Sequence, residues 1–452
     1  MGFRQEKDSM GMVEVPDDAY YGAQTQRAIQ NFPVSDLKPP LSFIHSLALI
    51  KHCAALANGQ LGVLNNEQSK AVAKASLEVM EGKHDDQFVV DLFQTGSGTS
   101  TNMNMNEVIA TRANEILTGK KNTGSPIHPN DHVNSGQSSN DVIPSAIHLS
   151  ALTLIKRKLV PSLIKLEESL NQKAEAFKDI RKIGRTHLQD AVPMTLGQEF
   201  SGYGRQIALG IERLESATPR LLELALGGTA VGTGINAHPQ FAETTISLIA
   251  VTSTYKFKEA ENHFAAQAAQ DTVVETSGVL KTLAVSLTKI ANDIRWLSSG
   301  PRCGLGEISI PSLQPGSSIM PGKVNPVIPE SVLQVAAQVI GNDTTITIGG
   351  QSGNFELNVM LPIIAYNLIQ SIELLSSVSD LFAEQCIKGI TANQEKAESY
   401  IEQSLALATS LIPLVGYDKA AEIAKKAYTQ GKTIREIAKE EKIISEKEQD
   451  EL

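Results

Sequence analysis

The sequence predicts a mainly α-helical protein built around a long central helical bundle, and three observations carry that prediction. The first is composition: 452 residues, 41% hydrophobic but only 5% aromatic and 20% charged, with Ala, Leu, Ile and Glu prominent. The second is periodicity. Val273, Leu280, Leu283, Ala284, Leu287, Ile290, Ala291 and Ile294 recur in steps of three and four, which lays one apolar stripe along a helix. The third is length. Comparable runs cover residues 145–183, with a kink expected at Pro161, then 196–226 and 330–342. The longest would make about five to nine turns, and helices of that size rarely stand alone. They imply a bundle, and stripes wider than one chain can bury imply association.

Along the chain, a chain of 452 residues is too long for one simple core and should divide into two or three domains. Residues 1–135 read as a mixed, mostly helical domain: Pro16, Pro33, Pro39 and Pro40 interrupt its start, and a helical stretch follows at 43–58. Residues 136–390 form the long-helix domain, and 391–452 a small helical domain broken by Pro413, Gly416 and Gly431. The charge-laced segment 432–452 reads as a solvated face. A helix-turn-helix could be drawn over 417–439, but a net charge of −10 argues against a nucleic-acid partner. No apolar run is expected to span a membrane, and the N-terminus lacks a signal peptide's apolar core, so the expected location is cytoplasmic. The ending Gln449-Asp-Glu-Leu452 is a near match to an ER-retention tail, which without an entry signal is coincidence. Cys53, Cys303 and Cys386 lie far apart without metal or redox spacing, so unpaired thiols are expected rather than a cluster.

The polar segments carry the chemistry. Gly316-Ser-Ser-Ile-Met-Pro-Gly-Lys-Val-Asn-Pro326 holds glycines and prolines that keep it out of helix and strand. A phosphate-loop reading fails, because five residues separate Gly316 from Gly322 and Val324 replaces the required Ser or Thr. What remains is two hydroxyls (Ser317, Ser318), a cation (Lys323) and an amide (Asn325), a set suited to a small carboxylate. Residues 95–107 run from a Gly-Ser-Thr loop into a helix. Ser97 and Thr99 there could cradle an anion with the helix N–H groups, or could simply cap the helix. Asn102, Asn104 and Asn106 are poor helix formers, which suggests buried polar groups or ligands. In 128–141, His128 and His132 flank Asp131, but Pro129 favours a turn over the helix a metal pair needs, so no metal is expected. Ser138, Ser139 and Asn140 follow just before a helix, again suited to a carboxylate. Thr186 and His187 fall in a turn after a long helix. Glu330 could hold one ring nitrogen of His187 and so raise the basicity of the other.

These blocks, together with 184–197, Gly227-Gly-Thr-Ala-Val-Gly-Thr-Gly234, 290–310 and Gly353-Asn-Phe-Glu-Leu-Asn358, resemble those of the fumarase/aspartase superfamily, and within it the class II fumarases. The resemblance runs from about residue 3 to 430. Aspartases generally carry Gln where this chain has His187, and Gln-Ser-Thr-Asn where it has Gln137-Ser-Ser-Asn140, so both positions are fumarase-like. Met194 is slightly aspartase-like, a matter of packing.

The resemblance implies three mostly helical domains, a homotetramer whose central helices form one bundle, and pockets shared between subunits. It also implies reversible, metal-independent hydration of fumarate to (S)-malate, a step of the tricarboxylic acid cycle, with no cofactor. Ser97, Thr99, Ser138, Ser139, Asn140, Thr186, Ser318, Lys323 and Asn325 would bind the dicarboxylate. Ser317, activated by Lys323 and by helix or loop N–H groups, would take the carbon-bound proton, and His187, oriented by Glu330, would protonate the departing hydroxyl or activate water. His128, Asn130 and Asp131 match a second anion site of some relatives. An aspartate ammonia-lyase and a non-catalytic scaffold on the same fold are the rival readings.

Overall fold

The computed structural model describes residues 2–121 and 124–443. The tail at 449–452 and the charge-laced segment past 443 lie outside the described residues. Among the described residues the chain is mainly α-helical, and its strands form two-stranded pairings. Contacts divide it into two units, one of Met1–Pro161, Glu212–Ala284 and Ala337–Ser376, the other of Ser162–Ile211, Val285–Ala336 and Ser377–Leu452.

In the first unit an antiparallel hairpin, Phe3–Asp8 with Gly11–Pro16, precedes the helices. The hub is the helix Leu41–Gln60, which starts directly after Pro40 and packs on Asn66–Met80, Ser139–Leu154 and Phe241–Ser253. Its neighbours explain its composition. Leu47, Ala48, Ile50, Cys53, Ala54 and Ala57 are all fully buried, so the helix is apolar on nearly every face. Burying each large side chain contributes about 1.5–3 kcal/mol. The Asn66–Met80 helix begins at a capping box between Asn65 and Gln68.

In the second unit the antiparallel hairpin Arg181–Thr186 and Gln189–Thr195 sits on the C-terminal helices. Ile183 is buried in the same core as Ile401, Leu407, Leu411, Ile423, Ile434 and Ile437.

Three readings of the sequence need correction. The run at 145–183 is not one helix: Ser139–Leu154 passes through a wide turn, Ile155–Leu159, into Val160–Ala176, and 181–186 is a strand. Pro161 has no N–H for the carbonyl four residues back, which accounts for the expected kink taking the form of that wide turn. The run at 196–226 ends at Leu221, with Pro219 in its last turn, and Glu223–Leu224 pairs with Lys258–Glu259. The segment Leu361–Gly389 is long and apolar enough to cross a membrane, contrary to the expectation of no such run. Leu361, Ile364, Leu368, Ile369, Ile372, Leu375 and Phe382 are buried within the protein, which is what a core helix of this length requires.

Candidate active site

Two helix N-termini meet in the first unit. Thr99–Thr118 begins after Gly98, whose φ of 75° lies in the left-handed region. A Cβ at Gly98 would press on Ile143 of the Ser139–Leu154 helix at 3.0 Å, so glycine allows the two helix starts to touch. Ser97 and Thr99 share a hydrogen bond of 2.7 Å between their hydroxyls, and Gln94 takes the Thr101 N–H at 2.9 Å. At the other helix start Ser138 is the cap, accepting from the Asn140 N–H at 3.2 Å, while Asp141 returns the bond to the Ser138 N–H at 2.9 Å. Ser139 is buried and its Oγ accepts from Asn102 Nδ2 at 3.1 Å. The Asn140 amide is tied by a 2.8 Å bond to the Ala230 carbonyl, in the glycine-rich 227–234 segment. Ser138 and Ser139 act as acceptors in these bonds, so those two hydroxyls keep their own hydrogens for an anion.

Beneath these groups lies a dense polar layer. Asp141 is fully buried and accepts N–H bonds from Gly227 and Thr229 at 3.0 and 2.9 Å. Burial pushes its carboxyl up to about 6, against the pull of those N–H groups and of Lys51. Asn104 and Glu107 have structural tasks. Asn104 bonds the backbone of Val89 and Gln87, and Glu107 accepts from the N–H groups of Gly22, Gln24 and Thr25 at the start of Ala23–Asn31.

His128 caps its own wide turn, Pro129–Val133, accepting from the Asn130 and Asp131 N–H groups at 3.3 and 3.2 Å. Its Nδ1 lies 3.3 Å from Asp131. The turn is therefore helical after all, but His132 turns inward to receive the His128 N–H at 2.8 Å. Among the described residues no three His, Cys, Asp or Glu side chains are grouped to hold a metal ion.

In the second unit Thr186 closes the hairpin against Gln189, and His187 and Leu188 form its two-residue tip with φ of 56° and 58°. Two successive positive φ values match the turn that the twist of a tight hairpin demands. Neither residue is Gly or Asn, so the tip carries backbone strain at the position of the candidate acid–base group. His187 stands exposed on this tip rather than at a helix end, and it makes no hydrogen bond among the described residues, Glu330 included. The hairpin is anchored two residues before His187. Arg185 forms a two-pronged pair with the fully buried Glu307 at 3.0 and 2.9 Å, and Lys182 lies 3.6 Å from the same carboxylate.

The loop at 316–326 folds on itself. Gly316 N–H bonds the Lys323 carbonyl at 2.8 Å, and a Cβ at Gly316 would meet that oxygen at 2.5 Å. Lys323 Nζ donates to Asn325 Oδ1 at 2.6 Å, and Asn325 returns to the Gly316 carbonyl at 2.7 Å. Ser317 Oγ accepts N–H bonds from Ile319 and Met320 at 3.2 and 3.0 Å. Two N–H donors on one hydroxyl oxygen favour its anionic form. Two loop N–H groups thus meet Ser317, whereas Lys323 is bonded to Asn325. Ser318 is exposed on the same turn. Lys323, Asn325 and Glu330, the last in the first turn of Val327–Gly350, line one cleft of about 730 Å³ with Arg295 and Ser298.

Comparison with known proteins decides the family. Residues 11–341 match the family model described as Lyase, and residues 407–452 the one described as Fumarase C C-terminus. The fumarate hydratase class II of Nitrosomonas europaea is 55% identical over 436 residues, covering 96% of this chain and 94% of the relative. That of Thermosynechococcus vestitus is 54% identical over 97% of this chain and 94% of its own. The chain belongs to the class II fumarate hydratase family of lyases. The crystal structure of class II fumarase from Schistosoma mansoni superposes with a TM-score of 0.96 at 43% identity, covering 100% of this chain and 98% of that one. The fumarase-like fold read from the motifs is therefore the fold of this chain.

Against that family background, Lys51, Asn134, Gln137, Arg185 and Glu307 are polar residues around the candidate groups that the motif reading left without a role. Lys51 had one sequence signal: it is the lone Lys, Arg, Asp or Glu in the 41–60 run. Glu307 had none, because its partner Arg185 lies 122 positions away.

Proposed function

We propose that the protein hydrates fumarate reversibly to (S)-malate without a metal. Identity of 55% to a fumarate hydratase class II over nearly the whole chain carries this reading, and the candidate groups support it. The difficult step removes a proton from carbon beside a carboxylate, which is feasible only if preorganised donors hold the doubly charged intermediate. Thr99, Ser138, Ser139, Asn140, Lys323 and Asn325 are the donors of this clamp, with Ser97, Thr186 and Ser318 as further contacts. Ser317 takes the proton, its anion favoured by the Ile319 and Met320 N–H groups. His187, paired with the Glu330 that another subunit would bring to it, exchanges the proton of the hydroxyl or water. His128, Asn130 and Asp131 serve a second anion site.

The active oligomer is a homotetramer with pockets shared between subunits. His187 has no partner among the described residues of its own chain, and Ile319 at 84% and Phe355 at 94% exposure are apolar side chains left in solvent. A soluble cytoplasmic enzyme of three domains, divided near residues 135 and 390, fits this assembly.

Fumarate absorbance, followed with and without ammonium on chelator-treated protein, tests the proposal. Loss without ammonium is the expected result. Loss only with ammonium makes the protein an aspartase, and no loss leaves a scaffold on a lyase fold.

A further inference from the structure

A fully buried lysine lies under the candidate anion clamp, and the proposed chemistry gives it no task. Lys51 is 0% exposed in the middle of Leu41–Gln60, among Leu47, Ile50 and Ala54. A desolvated ammonium is costly unless its hydrogens find acceptors. Two are supplied: Lys51 Nζ donates to Asn134 Oδ1 at 2.9 Å and to Gln137 Oε1 at 3.0 Å. The nearby Asp141 carboxylate favours the charged form, while burial opposes it.

In its charged form Lys51 donates and never accepts, so it dictates how both amides are turned. Asn134 must present its oxygen to Lys51, and its NH₂ then bonds the Gln137 carbonyl at 3.2 Å. With the oxygen fixed, Asn134 Oδ1 also receives Asn102 Nδ2 and Asn106 Nδ2, each at 3.2 Å. Asn102 is thereby turned as well. Its Nδ2 is shared with Ser139 Oγ at 3.1 Å, and its own Oδ1 is buried with no hydrogen-bond partner. An unsatisfied buried oxygen beside a serine hydroxyl is a standing invitation to flip. If Asn102 flipped, its oxygen would accept the Ser139 O–H and remove that donor from the substrate.

We propose that Lys51 is a positioning residue: through Asn134 and Asn102 it keeps the Ser139 hydroxyl hydrogen directed at the substrate carboxylate. The inference rests on the reading of Ser139 as part of the clamp. Lys51 touches no substrate. It acts by setting the polarity of a relay of amides, and a neutral residue of similar length would fill its space while leaving that polarity undefined.

The test is a double-mutant cycle on the full-length protein with fumarate as substrate. Lys51→Met should lower kcat/KM roughly tenfold, mainly through a higher KM, the lower end of what removing a group that orients a ligand-holding side chain does. In a Ser139→Ala background the same change should have no further effect, because the hydroxyl it orients is gone. Asn102→Ala, which breaks the relay while leaving the lysine in place, should reproduce the loss and the non-additivity even if Lys51→Met folds poorly. Circular dichroism of each variant should match wild type. An equal loss from Lys51→Met or Asn102→Ala with and without the Ser139 hydroxyl overturns the relay and makes Lys51 purely structural. Unchanged kcat/KM in either single variant also overturns it. Full activity in Ser139→Ala alone is a distinct result: it removes Ser139 from the clamp, and the inference falls with it.

Discussion

The helix-start cluster of the first unit and the reactive segments of the second are built on opposite principles. Around Ser138, Ser139 and Asn140 nearly every polar group is buried or tied down, to Asn102, to Asp141 or to the Ala230 carbonyl. His187 and Ser317 instead sit on short chain reversals near solvent, one on a hairpin tip with positive φ, the other on a loop closed by its own backbone. A group that must stabilise charge gains from being fixed before substrate arrives, since reorganisation would consume the stabilisation it offers. A group that must exchange protons gains from standing where a second chain or water can reach it. In the proposed site, fixed donors and accessible proton carriers are thus separated along the sequence, and that contrast makes the site testable region by region.

The sharpest way to break the contrast is to remove a proton carrier. Ser317→Ala and His187→Gln should each lower kcat by on the order of 100- to 10,000-fold without loss of helical circular dichroism. Unchanged turnover in Ser317→Ala would make the loop a lid, and unfolding in His187→Gln would make the histidine structural. Removing a fixed donor should come next: Asn140→Ala is expected to slow hydration by on the order of 100- to 1000-fold. Next comes the anchor under the hairpin. Arg185→Met leaves the Glu307 carboxylate buried with only the more distant Lys182, which should destabilise the protein by about 3–5 kcal/mol and show as a lower midpoint in urea. A midpoint equal to wild type would remove the anchor from the account.

The last effect is graded rather than all at once, and concerns pH. Burial pulls the Lys51 ammonium down from 10.5 to about 7. Between those values the unfolded chain holds more protons at this position than the folded one, so folding stability rises with pH there. Wild type should therefore gain on Lys51→Met between pH 7 and about 10, by at most about 1.4 kcal/mol per pH unit. Parallel stability curves over that range would mean that burial does not lower the Lys51 ammonium.

Much of this was legible in the chain. The stripe from Val273 to Ile294 is buried as its spacing required, and the helix starts at Thr99 and Ser139 follow the Gly-Ser-Thr and Ser-Ser-Asn signals. The loop at 316–326 was readable from its glycines and prolines. The His187 hairpin was not, because two short strands with Pro193 inside and no Asn or Gly at the tip give no hairpin signal, and the 145–183 pattern ran helical into it. Nor was the pairing of Arg185 with Glu307, a contact between distant segments that no local pattern encodes. The asparagines show the limit best. Their burial was readable from poor helix propensity, but that Asn104 serves the backbone while Asn102 faces Ser139 depends on which elements pack beside them.

One measurement tests the division between fixed donors and proton carriers most directly: titration of Ser317→Ala and Ser138→Ala with a saturated four-carbon dicarboxylate, beside their turnover of fumarate. The account predicts that Ser317→Ala binds the dicarboxylate like wild type while losing turnover, and that Ser138→Ala loses both. Wild-type turnover in Ser317→Ala, or undiminished binding in Ser138→Ala, would contradict it.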